Sequence, residues 1–235
     1  LAEDPGLSSF NLALLDGGDG LDWLNFGTDQ NTPARIDTEL TLDVAGATGF
    51  ENLRGAPGDD IIRGDMGNNI LEGYTGTDTI YGGDGHDTIY AEQHPGRYSP
   101  SQFESRKYET SDATTDDKLY GEGGDDILIG NSGSNILDGG QGSDRLIGGE
   151  GNDVFIIEAS NSGIDIIEDF EDNMDSIGLA GALSFNDLDI AQSGSDTLIS
   201  LKETGQDIAM LAGISSDLIT LGDFFSANPD PQILA

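Results

Sequence analysis

The chain repeats itself every nine residues, and no other feature narrows its folding options as far. From Gly55 it reads GAPGDDIIR, GDMGNNILE, GYTGTDTIY and GGDGHDTIY, ending at Tyr90. It resumes at 112–120 as DATTDDKLY, then GEGGDDILI, GNSGSNILD, GGQGSDRLI and GGEGNDVFI, ending at Ile156. A short fixed period means stacked copies of one small unit, each too thin to bury a core alone. Position 4 is Gly in every unit except the one after the break, as at Gly58, Gly76, Gly85, Gly124, Gly142 and Gly151. Position 6 is acidic at Asp60, Asp78, Asp87, Asp117, Asp126, Asp144 and Asp153, and an amide at Asn69 and Asn135. Position 8 is apolar throughout, from Ile62 to Phe155.

Each position has a physical reason. Glycines allow positive φ and close backbone approach, so the first six residues can form a tight turn with inward carbonyls. The last three suit a short strand, with position 8 on one side and positions 7 and 9 on the other. Two turns and two strands make one coil of 18 residues. Stacked coils lie about 4.8 Å apart, which sets the Asp of one coil beside that of the next. Two carboxylates about 5 Å apart repel by roughly 3 kcal/mol at an effective dielectric near 20. A column of them needs a cation between each pair. Carboxylates with backbone carbonyls form an all-oxygen, adaptable cage, which suits calcium better than magnesium or zinc. The candidate ligands are therefore the position-6 side chains and the backbone of the position-4 glycines. Asn69 and Asn135 offer oxygen without charge, so their sites should be weaker. An isolated copy, GGDGLDWLN at 17–25, adds Asp22.

These nonapeptides resemble the glycine- and aspartate-rich repeat of RTX proteins, the hemolysin-type calcium-binding family. The resemblance implies an all-β fold, a right-handed parallel β-roll with several bound calcium ions and β caps at both ends. The tail, GIDIIEDFEDNMDSIGLAG and onward to DFF at 223–225, resembles the family's usual ending. That implies an antiparallel cap and a region read by type I secretion, hence a secreted, extracellular protein. Within the tail and last unit, Phe155, Ile164, Ile166, Ile167 and Phe170 are expected to cover the final coil. The expected divisions are an N-terminal cap (1–54), a first roll block (55–90), an inserted loop (91–116), a second block (117–156) and a C-terminal cap (157–235).

The insertion decides the register. If it bulges out of an unbroken stack, one column holds Asp60, Asp78, Asp117, Asn135 and Asp153. The other then holds Asn69, Asp87, Asp126 and Asp144. Otherwise the blocks form two separate stacks. The loop carries Arg97, Arg106 and Lys107 with Tyr98, Phe103 and Tyr108, the composition of a neutralising flap over an acidic roll or of a loop that contacts a partner or glycan. Tyr81, Tyr90 and Tyr120 at position 9 are expected to face outwards, either under the loop or available to stack on sugar rings.

Composition removes other functions. With 45 Asp and Glu against 9 Lys and Arg, the net charge of −36 excludes a nucleic-acid partner. There is no Cys, so disulfides, thiolate metal sites and Cys nucleophiles are excluded. No apolar run is long enough to span a membrane. The start, LAEDPGLSSF, lacks the basic and apolar regions of a signal peptide, and the chain is expected to be a monomeric fragment of something larger. No phosphate loop, HExxH or GxSxG is present, so no catalytic residue, organic cofactor or enzyme activity is expected. The expected role is calcium binding that drives folding after secretion. The alternative is an adhesin or a module that holds a polysaccharide or cell surface.

Overall fold

The computed structural model describes residues 23–25, 39–41, 52–55, 58–92, 116–160 and 162–227. In the described part of the roll the chain alternates between two sheets, one strand per nonapeptide. Its strands are β1 (Trp23–Asn25), β2 (Glu39–Thr41), β3 (Asn52–Arg54), β4 (Ile61–Arg63), β5 (Ile70–Tyr74) and β6 (Thr79–Asp84). There follow β7 (Thr88–Glu92), β8 (Lys118–Gly123), β9 (Ile127–Ile129), β10 (Ile136–Asp138), β11 (Arg145–Ile147) and β12 (Val154–Ile157). The tail adds β13 (Asp165–Ile167), β14 (Ser176–Leu179), β15 (Leu188–Ser193), β16 (Asp196–Leu201), β17 (Asp207–Leu211) and β18 (Phe224–Ser226). Odd strands run β1-β3-β5-β7-β9-β11-β13 in one sheet, and even strands run β2-β4-β6-β8-β10-β12-β14-β18 in the other. All pairs in these two runs are parallel. Such an alternation of parallel strands every nine residues is a β-roll. The described residues contain no α-helix.

The period of two within each strand sends position 8 inwards. In register, Ile62, Ile80, Leu119, Leu137, Phe155, Ile177 and Phe224 form one apolar column. Leu53, Leu71, Ile89, Leu128, Leu146, Ile167 and Leu211 form the second. Nearly all are fully buried, and the two columns belong to one continuous hydrophobic cluster. Strands β5 to β8 are five or six residues long, where three per unit were expected. The parallel ladder there extends into the first residues of the turns, as Tyr74↔Glu92 and Gly83↔Glu122 show.

The stack is unbroken across the insertion. β6 pairs with β8 and β7 with β9, in the register that puts Ile80 on Leu119 and Ile89 on Leu128. Ala91 and Glu92, at the start of the insertion expected over 91–116, complete β7 and are buried. At the amino end β1 and β2 pair in parallel with β3 and β4, so the isolated copy's strand joins the same stack. At the other end β17 continues the odd sheet in parallel, then β16 and β15 pair antiparallel beyond it. Phe155, Ile167 and Phe170 lie in the interior, with the two Phe rings 6.3 Å apart. Ile164 is exposed and Ile166 half-buried, so these two do not cover the final coil: alternation in β13 turns them away from Ile167.

At position 9 the two settings left open by the sequence are a covered ring and an open one. Tyr81 and Tyr120 are 5% and 7% exposed, not presented to solvent. Adjacent strands bring their rings into a stack at 5.0 Å, and the Arg63 guanidinium sits 4.0 Å from the Tyr81 ring centre. Tyr90 is half-buried. The loop's Arg97, Arg106, Lys107, Tyr98, Phe103 and Tyr108 lie outside the described residues.

Candidate metal centre

The turns are built on glycine where the coils approach each other. Gly76, Gly85, Gly124, Gly142 and Gly151 all hold φ between +124° and +140°. A Cβ on any of them would run into the position-4 carbonyl of the preceding coil, for example Gly67 O at 2.7 Å from one added to Gly85. Close packing of turn on turn thus requires hydrogen at that position. Position 2 adopts positive φ in most units, though not at Asp65, and tolerates Tyr74, Glu122 and Asn131 there as well as glycine.

Position 6 forms the two side-chain columns the spacing anticipated. The backbone N–H of Asp60 donates to Asp78 Oδ1 at 2.8 Å, Asp78 N–H to Asp117 Oδ1 at 2.6 Å, Asp117 N–H to Asn135 Oδ1 at 3.0 Å and Asn135 N–H to Asp153 Oδ1 at 2.7 Å. On the other side Asn69, Asp87, Asp126 and Asp144 repeat the pattern at 2.6–2.8 Å. The sequence separation along both columns is 18 except across the insertion, where it is 39. Every position-6 residue from Asp60 to Asp153 is at most 3% exposed.

Sequence reasoning missed two members. Asp144 N–H donates to Asp165 Oδ1 at 3.2 Å, and Asp153 N–H to Asp175 Oδ1 at 2.9 Å. Asp165 and Asp175 follow no complete nonapeptide. Their signal is a half-unit, Gly163-x-Asp165-x-Ile167 and Asn173-x-Asp175-x-Ile177. Gly163 stands against Gly142 O as a position-4 glycine does, and Asn173 adopts a φ of +63° in the same place. Asp22 lies outside the described residues.

At five of these positions the ladder leaves one carboxylate oxygen over. Oδ2 of Asp78, Asp87, Asp126, Asp144 and Asp153 is buried without a hydrogen-bond partner. Such an atom bears the full desolvation penalty of a charged group. Burial, followed by neighbouring carboxylates, accordingly raises these groups against the opposing pull of the ladder N–H. Asp78 and Asp126 are pushed up to about 8, Asp153 to about 7 and Asp87 to about 6. Asp144 and Asp175 are raised for the same first reason. Beside each Oδ2 lies a position-1 glycine and, in most units, a carbonyl of the next coil. A Cβ on Gly82 would meet Asp87 Oδ2 at 2.5 Å and Gly121 O at 2.7 Å, and one on Gly121 would meet Gly139 O at 2.5 Å. Among the described residues no three acidic or imidazole side chains form a metal cluster by themselves. The donor set is therefore paired carboxylates completed by backbone carbonyls, all hard oxygen, which fits calcium. His86 is not part of it: its exposed Nδ1 accepts from the Asp125 N–H at 2.8 Å.

A stack of coils whose turns hold columns of desolvated carboxylates and glycine carbonyls defines a cation-binding repeat protein. Four copies of the RTX calcium-binding nonapeptide repeat match it, at residues 46–79, 63–93, 114–137 and 120–155. Residues 46–93 and 114–155 thus carry RTX calcium-binding repeats in a β-roll, and such repeats bind calcium. No curated protein matches the chain. Among solved structures it is similar to the extracellular lipase of Serratia marcescens, with 20% identity and a TM-score of 0.37 over 88% of this chain and 42% of the lipase. It thus spans less than half of that enzyme. It is also similar to a repeat subunit of the mannuronan C5-epimerase of Azotobacter vinelandii, with 18% identity and a TM-score of 0.31 over 84% of each chain.

Proposed function

We propose that this chain is a calcium-operated folding module of a secreted protein. It stays open in the calcium-poor interior of a cell and closes into the roll after export through a type I system. In this reading it is the carboxy-terminal part of a larger chain whose activity lies upstream, acts as a monomer and catalyses no reaction itself. The observation that carries the reading is the pair of columns in which five buried carboxylate oxygens have no partner.

Calcium, when bound, supplies positive charge to these columns. The chain's own residues do the remainder. The position-6 N–H groups fix one carboxylate oxygen of each Asp and leave the other directed at the turn. Position-4 glycines let the coils close to hydrogen-bonding distance. Position 8 supplies the apolar interior that rewards closure. Several ions are expected along the two columns. A module that grips sugar rings with Tyr81 and Tyr120 finds less support, since both rings are buried against each other.

Calorimetric titration with calcium at neutral pH, with magnesium as the control, tests this. The expected result is a cooperative heat of binding at about 10⁻⁴–10⁻³ M calcium and no comparable transition with magnesium. A flat calcium titration would overturn it.

A further inference from the structure

The nonapeptides end at Ile156, but the acidic columns do not. We infer that the calcium columns extend past the repeats into residues 163–177, giving two terminal cation sites, one between Asp144 and Asp165 and one between Asp153 and Asp175. This rests on the calcium reading of the repeats and extends it to residues that no repeat contains.

Three observations carry it. First, Asp165 and Asp175 accept the ladder hydrogen bonds of Asp144 and Asp153 through Oδ1, the contact made at every earlier step. Second, Asp144 and Asp153, whose N–H groups make these last steps, are 0% and 1% exposed, and each has an Oδ2 buried without a hydrogen-bond partner. A buried carboxylate oxygen in that state calls for a cation or a proton. Third, the close approach of a repeat turn recurs without its full sequence. Gly163 packs on Gly142 O as a position-4 glycine packs on the coil before it, and Asn173 holds a positive φ of +63° two residues before Asp175.

The terminal turns are more acidic than the interior ones. Asp169 Oδ1 and Oδ2 accept the N–H groups of Gly148 and Gly149 at 2.9 and 3.0 Å, which fixes its carboxylate at the mouth of the last complete unit. Asp175 Oδ2 accepts the Glu171 N–H at 2.7 Å. The carboxylates bearing on Asp153 are those of Asp175 and Asp169. Extra negative charge around a pair of hard-oxygen donors tightens calcium binding.

The test is to count ions on the full chain by native mass spectrometry at saturating calcium, for wild type, Asp165→Asn and Asp175→Asn. An amide preserves the Oδ1 acceptor, as Asn135 shows within its column. Each variant is expected to bind about one ion fewer and to keep the remaining ions. A wild-type chain that binds calcium while both variants keep the full count overturns this inference alone. A wild-type chain that binds none overturns the underlying calcium reading. Should a variant fail to fold, crystals of the wild type with terbium in place of calcium give the answer. Anomalous peaks between Asp144 and Asp165 and between Asp153 and Asp175 support the sites, and peaks confined to the nonapeptide turns contradict them.

Discussion

At the scale of single residues, one side chain carries two opposed demands. At Asp78, Asp87, Asp126, Asp144 and Asp153 the carboxylate satisfies a backbone N–H with one oxygen and buries the other unsatisfied. Its raised pKa is a statement about stability. A carboxyl that is harder to ionise when folded favours folding only while protonated, so its penalty is full above its folded pKa and fades as pH falls towards the ordinary carboxyl value. With Asp78 and Asp126 near 8 and Asp153 near 7, the chelated chain should gain β structure on moving from pH 8.5 to about pH 6. Circular dichroism in excess chelator measures this, and loss of structure over that interval would show the sign to be wrong. Column members also differ. Asp126→Ala or Asp144→Ala removes a buried charge with an unpartnered oxygen, so each should move the calcium midpoint further than Asn135→Ala. Gly124→Ala places a methyl against Gly85 O at a φ of +128° and should destabilise the roll by at least about 1–3 kcal/mol.

At the scale of the element, the unit is the coil, and its parts were unequally legible. Position 8 and the two Asp columns could be read from spacing because a nine-residue period with one strand per unit leaves little choice of register. The continuity across the insertion was one of two open arrangements, since a loop of that length closes at modest entropic cost in either. Asp165 and Asp175 escaped because only the second half of their turns keeps the pattern: the first half is rebuilt by longer segments. That Tyr81 and Tyr120 share a face followed from the register, but whether they are covered or open stayed undecided, because alternation says which face a side chain leaves by and not what covers it. The strand pairing yields a sharp prediction. Glu92 and Asp116 occupy positions 2 and 5 of one interrupted unit, as the 39-residue ladder step shows. Replacing residues 93–115 by Asp-Gly restores a step of 18, the spacing of the intact coils. The variant should fold on calcium addition and bind the same number of ions within one. Loss of calcium-induced β structure would show that the insertion is a structural part of the roll. In the interior, Leu128→Ala should cost about 2–5 kcal/mol, because the site is 0% exposed and the neighbouring coils cannot collapse inwards without breaking the ladder.

At the scale of the whole molecule, the balance is between a narrow apolar interior and a very large like charge. Each nonapeptide buries little more than one fully enclosed apolar side chain. Ordering the backbone costs about 1–2 kcal/mol per residue, whereas burying a Leu or Ile returns about 1.5–3 kcal/mol. Hydrogen bonds between coils offset part of the difference. A net charge of −36, concentrated in part into two desolvated columns, acts against closure. Ions that bind only the closed form would then shift the equilibrium by mass action. Repeats that contact only their neighbours also explain why the transition should be cooperative along the stack. The measurement that tests this most directly is far-UV circular dichroism of the full chain at pH 8, first in excess chelator and then through a calcium titration. The account predicts a largely unfolded spectrum in chelator and a steep, saturable gain of β structure with calcium that magnesium does not reproduce. Full β structure in chelator, unchanged by calcium, would contradict it.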